Sequence, residues 1–176
     1  MQKHKHRCQE HDVMEVEQIV LMLGLENTIR LIPATPLVED ILGKNNRSAL
    51  VYLLKTSHRA NLAASYAFDW AIRLHDLHFA DIRLAALLHD IAEILMWCFA
   101  PAEMLKIKQF QKKDKTLRSA AVQEKIFGFP LNQLQHELAI KWRLPELLIT
   151  LMDDNCSGFQ RVRNVILAVN LARHSA

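Results

Sequence analysis

Apolar residues recur along this chain with the 3.6-residue period of helices, and no stretch of useful length alternates apolar with polar as a half-buried strand does. The period begins at Val13, with Val16, Val20 and Leu23 on one face and Gly24 as a C-cap. It continues from Glu26 to Leu42, where Pro33 and Pro36 must break or kink it. The run Gly43-Lys44-Asn45-Asn46 is the clearest loop. Ser48 to about Leu74 reads as one long amphipathic helix, along which Leu54, His58, Leu62 and Tyr66 recur. After a polar connector from His75 to Phe79, Asp81 opens a helix that carries His89. Ile82, Ala85, Ala86, Ala92 and Met96 share the inward face of that helix. Pro101 starts another helix, the segment from Lys112 to Lys115 is exposed, and Leu117 to Ile126 is helical and ends at Gly128. Pro130 sits in a first turn of a helix that runs to Trp142, and Pro145 begins the next. Asp153 to Gly158 is a loop before a last apolar helix, Val162 to Arg173. The pattern predicts an all-α fold, a single helical bundle over 13–176 preceded by a flexible tail over 1–12.

Composition narrows this further. At 176 residues, 51% of them hydrophobic and 23% charged, the chain is sized for one domain with a real core. A net charge of +3 is too small to argue for nucleic acid. The basic runs from Lys3 to Arg7, from Lys106 to Lys115 and at Arg161 and Arg163 read as solvated faces and tail, and Asp114 interrupts the longest of them. Cys8, Cys98 and Cys156 are odd in number and form no CxxC pair, so neither a disulfide framework nor a thiolate zinc site is indicated, and a reducing, cytoplasmic setting is expected. The polar N-terminus has no apolar signal core, and no run of about 18 apolar residues predicts a membrane span. Glycine is too rare for a phosphate-cradling loop.

The chemistry concentrates at His89-Asp90. Two polar groups set among Leu, Ile and Ala need partners, because burying them unpaired costs free energy. Two other His-Asp pairs, His11-Asp12 and His75-Asp76, lie in polar surroundings. His58, with Leu54 and Leu62 one turn to either side, is expected to face the core as well. Two inward imidazoles and a carboxylate can hold a divalent cation, which would acidify bound water for phosphoester hydrolysis. The same residues can instead hydrogen-bond to one another and lock helix packing, and spacing alone favours that reading. His4, His6, Cys8 and His11 read as part of the tail, Trp142 as a core anchor, Cys98 as a small core residue, and His136 as inward or surface-polar alike.

Leu87-Leu88-His89-Asp90-Ile91, preceded some thirty residues by His58, resembles the HD superfamily of metal-dependent phosphohydrolases. More of the chain resembles one branch, the HDOD domains of bacterial signalling proteins. Lys141-Trp142-Arg143-Leu144-Pro145-Glu146-Leu147-Leu148 is similar to their RWxLPExL signature, Glu124 to Phe129 to the E…LGFxH stretch, Val16 to Leu25 to I..AI..LGL, and Val165 to Arg173 to the last helix. The resemblance implies the metal ligands His58, His89 and Asp90, and it sets Asn170 at the fourth-ligand position, where the superfamily has an aspartate. The GFxH histidine position holds Leu131, and Asp153-Asp154-Asn155 fills a region where many members carry a histidine pair. Asp153 or Asp154 would supply the lost carboxylate if that loop folds inward. The front part of a full HDOD domain is expected to be missing ahead of Val13.

With a carboxylate replaced by an amide, the resemblance implies a non-catalytic regulatory module that acts through contacts with signalling proteins or small ligands. It would carry no cofactor, or at most one weakly bound divalent metal, and leaves a homodimer open. Trp97, Phe99 and Phe110 could supply a contact surface if exposed, but core packing is the expectation for each. The alternative is a metal-dependent phosphohydrolase acting on a nucleotide or cyclic dinucleotide. Neither reading calls for nucleic acid or membrane.

Overall fold

A computed structural model describes residues 16–43, 46–114, 119–152 and 159–175, and these contain eleven helices and no strand. The all-α expectation is met. The expected tail, the 13–15 helix start, residues 115–118 and the loop over 153–158 lie outside the described residues. Contacts divide the chain into two compact units, residues 1–36 and 37–176.

In the first unit, helices α1 (Val16–Leu23) and α2 (Leu25–Leu31) meet at Gly24. Its φ of 77° is a conformation that side-chain-bearing residues rarely adopt. The Gly24 N–H closes α1 on the Val20 carbonyl at 2.8 Å, and its own carbonyl accepts the Thr28 hydroxyl at 2.8 Å. The helical pattern is broken at the prolines, as expected, and resumes only at Val38. Proline cannot donate to a helical ladder, and α2 ends at Leu31, ahead of Pro33 and Pro36.

The second unit opens with the short α3 (Val38–Leu42) and is organised on α4 (Arg47–Arg73), 27 residues and so about 40 Å long. α4 contains no Gly or Pro, and six alanines lie in its buried stripe: Ala49, Leu53, Thr56, Ala60, Ala63, Ala64, Ala67 and Ala71. Alternating three- and four-residue steps keep that stripe on one side. The row Leu54, His58, Leu62, Tyr66 advances by four each time, and so drifts about 40° per step around the helix. Leu54 and His58 are exposed, and Leu62 and Tyr66 are half-buried. The expectation that His58 faces the core therefore fails, because small residues rather than the leucines define the packed face.

α5 (Phe79–Leu88) and α11 (Gln160–Ser175) lie against α4. Ala85, Ala86, Val165, Ala168, Val169 and Ala172 meet the alanines of α4 in the first hydrophobic cluster, to which Leu148 of α10 (Glu146–Thr150) adds. A second cluster gathers Leu42, Leu53, Trp97 of α6 (Ile91–Phe99), Met104 and Ile107 of α7 (Pro101–Lys113), Val122 of α8 (Ser119–Phe127) and Leu131 of α9 (Leu131–Trp142). Trp97 is fully buried and stacks on Tyr52, ring centroids 4.9 Å apart. It is a core residue and not a contact surface. Phe99 and Phe110 are exposed. Trp142 is 48% exposed at the end of α9, where Arg143 takes a left-handed φ of 54°, so it does not anchor the core.

The helix expected to carry His89 is broken there. α5 ends at Leu88 and α6 starts at Ile91, leaving His89 and Asp90 in the joint between the two hydrophobic clusters. Aspartate favours helix starts over interiors because its carboxylate competes for backbone partners, and Asp90 sits at the N-cap position of α6. Its carboxylate does not cap the helix; it is engaged elsewhere.

The small-residue packing generates a test. Ala67→Leu, at a fully buried position of α4, is expected to cost about 1–3 kcal/mol through overpacking, whereas Leu54→Ala on the exposed side is expected to stay within about 0.5 kcal/mol. Urea unfolding of both variants checks this, and equal effects would contradict the assignment of faces.

Candidate functional site

Four helices bring charged side chains to the α5–α6 joint, and a fifth brings an amide. Arg59 lies at the edge of the buried stripe of α4, three residues after Thr56 and four before Ala63. Asp90 begins α6 and Glu93 lies in its first turn. Lys108 comes from α7 and Arg173 from the last turn of α11, while α9 contributes Gln135.

Asp90 is buried, at 8% exposure. Its Oδ2 accepts two hydrogen bonds from Arg59, from Nε at 3.1 Å and Nη2 at 2.8 Å. Its Oδ1 accepts one from Arg173 Nη2 at 3.2 Å and lies 2.9 Å from His89 Nδ1. A carboxylate has about four lone-pair sites, and four donors converge on this one. Glu93 Oε2 accepts from Arg59 Nη2 at 3.0 Å, and Oε1 lies 3.4 Å from Thr56 Oγ1, 3.4 Å from Trp97 Nε1 and 3.8 Å from Lys108 Nζ. Arg59 thus bridges two carboxylates. Gln135 Nε2 donates to the His89 carbonyl, which α5 leaves without a helical partner at its end.

Burial acts to raise the Asp90 carboxyl, but the hydrogen bond and charge of His89, with Arg173 and Arg59, outweigh it and hold the group far below the usual carboxylate range. Burial acts to lower the Arg59 guanidinium, and Asp90 and Glu93 reverse this and raise it. Both partners are therefore held in their charged forms. An open cavity of about 390 Å³ adjoins the network, lined among others by Arg59, His89, Asp90, Lys108, Gln135 and Arg173.

Of the residues singled out in the sequence, the structure brings together His89 and Asp90. His58 is exposed and does not line the cavity, and its neighbour Arg59 points inward in its place. Asn170 is also exposed, and Arg173, three residues on, reaches Asp90. His136 is half-buried and does not line the cavity, whereas its neighbour Gln135 does. Among the described residues no three His, Cys, Asp or Glu side chains are placed to hold a metal ion. This donor set does not fit a divalent cation, because the Asp90 oxygens are turned to two guanidiniums and the second imidazole is in solvent. Asp153 and Asp154 lie outside the described residues. Sequence reasoning missed Arg59, Glu93, Lys108 and Arg173. Arg59 carried a signal, its three- and four-residue spacing to the small residues of the packed stripe.

Comparison with known proteins places these features in context. The family model for the HDOD domain matches residues 6–157. Among solved structures, an HDOD domain protein of unknown function from Geobacter sulfurreducens is similar with a TM-score of 0.55 at 20% identity, the match covering 78% of this chain and 46% of that one. The chain thus spans less than half the length of that relative, and at this identity the likeness concerns the fold. No curated protein matches the chain.

Two outcomes follow from the ion pairs. Asp90→Ala is expected to cost about 3 kcal/mol, because it leaves Arg59 partly buried with one carboxylate fewer; a change below about 0.5 kcal/mol by urea unfolding would contradict the network. Folding lowers the Asp90 pKa, so the folded chain binds that proton more weakly and acid favours the unfolded state. Its contribution is complete above the ordinary aspartate pKa of about 3.9 and is lost as pH falls further. The stability gap between wild type and Asp90→Asn is therefore expected to hold from pH 7 to 5 and to shrink from pH 4 downward.

Proposed function

The chain belongs to the HDOD domain family, and from that membership we propose that it is a non-catalytic regulatory module of bacterial, cytoplasmic signal transduction, working through contacts with signalling proteins or small ligands. The observation that carries the reading is the saturation of Asp90 by Arg59, Arg173 and His89. Hydrolysis by the superfamily's chemistry needs a carboxylate and imidazoles with lone pairs aimed at one cation. Here the aspartate faces fixed positive charges instead. A guanidinium can balance a buried carboxylate, but it has no exchangeable coordination position and cannot lower the pKa of a bound water as a metal does. What is left of the site suits a structural role, tying α4, α6 and α11 together at one point. Among the described residues no single helix is long and apolar enough to cross a membrane.

The test is a phosphodiesterase assay on the purified chain with bis-p-nitrophenyl phosphate and with cyclic dinucleotides, supplied with Mn, Fe or Zn. Rates equal to those of the metal salts alone are expected. Turnover that His89→Ala abolishes while the helical circular dichroism is retained would overturn the reading in favour of a metal-dependent phosphohydrolase.

A further inference from the structure

We infer that the cavity beside the α5–α6 joint is a binding site for a small phosphate-bearing anion, held directly by guanidinium and ammonium groups. The inference builds on the non-catalytic reading above and names the ligand class of the same site.

The charge balance of the walls carries it. Arg59, Lys108 and Arg173 line the cavity, opposed there by Asp90 and Glu93, an excess of one positive charge before His89 is counted. The two carboxylates are spent on internal pairs. The cations are not spent to the same degree. Arg173 makes one bond to Asp90, at 3.2 Å, with its side chain 45% exposed, so the rest of its planar donor fork is open to a ligand. Lys108 Nζ stands 3.8 Å from Glu93, beyond ordinary hydrogen-bond length, and has donors to spare. A guanidinium and an ammonium with free donors at the mouth of a cavity of about 390 Å³ match the charge and the multiple acceptor oxygens of a phosphate.

The backbone adds to the same sign. Ser119 and Ala120, at the described start of α8, and Pro130, Leu131 and Asn132, at the start of α9, line the cavity. α9 has no acidic residue in its first turn to offset the positive end of its dipole. Asn132 and Ser119 offer neutral polar groups beside the cations. The two carboxylates of the lining are already faced by Arg59, so an entering anion meets the open donors of Arg173 and Lys108.

Isothermal titration of the full chain with pyrophosphate and with inorganic phosphate, in matched chloride and with EDTA present, tests the proposal. Saturable binding is expected, tighter for pyrophosphate, with Arg173→Gln and Lys108→Gln each weakening it at least tenfold. Lys106→Gln, on the exposed side of the same helix as Lys108, is expected to leave it unchanged. Circular dichroism and urea unfolding show whether each variant is folded, and Lys108→Gln carries the test should Arg173→Gln disturb the Asp90 pair. Absence of saturable binding, or equal weakening by Lys106→Gln, overturns the proposal and leaves the non-catalytic reading standing. Phosphodiester turnover in the assay above would overturn that reading without touching the binding result.

Discussion

One buried carboxylate holds this arrangement in place. Asp90 sits where two helices part and where two hydrophobic clusters abut, and it would be costly there without compensation. The compensation comes from Arg59 and Arg173, which are distant in sequence and meet at the two oxygens of one group. Such pairs contribute little net stability against an apolar alternative, since desolvation offsets most of the attraction. They do penalise every arrangement in which the partners fail to meet. Asp90 therefore specifies how α4, α6 and α11 are registered more than it adds to their stability.

The same carboxylate decides the chemistry. In the HD superfamily, which the sequence resembles, an adjacent histidine and aspartate hold a metal. Here the fold keeps that dipeptide at a helix joint and turns its acid toward fixed organic cations. Beside it lies a cavity whose walls carry three cationic side chains against two carboxylates.

Much of the fold was legible in the sequence. The helical period placed α4 to within a residue, and prolines and glycines marked the interruptions at Pro33, Gly43 and Gly128. What misled was the assumption that large apolar residues mark the packed face. On α4 the alanines do so, and this displaced His58 to solvent and drew Arg59 inward. The break at Asp90 was also hidden, because the apolar period runs through it and only the engagement of the carboxylate with side chains shows why the helix restarts. Within the site, His89 and Asp90 could be named from their setting. Glu93, Lys108 and Arg173 could not, since surface-like charged residues acquire a role only once distant helices converge.

The seam between α4 and α11 has a further consequence. Ala63, Ala64, Ala67 and Ala71 face Ala168 and Ala172 there, among Val165 and Val169. Alanine has no side-chain torsion to rotate. A joint made largely of such residues offers few alternative rotamers with which to absorb a disturbance locally. A displacement of α11 against α4 would therefore be passed along the helix as a shift of one piece, and Arg173, next to Ala172 on the same helix, carries the Asp90 pair with it.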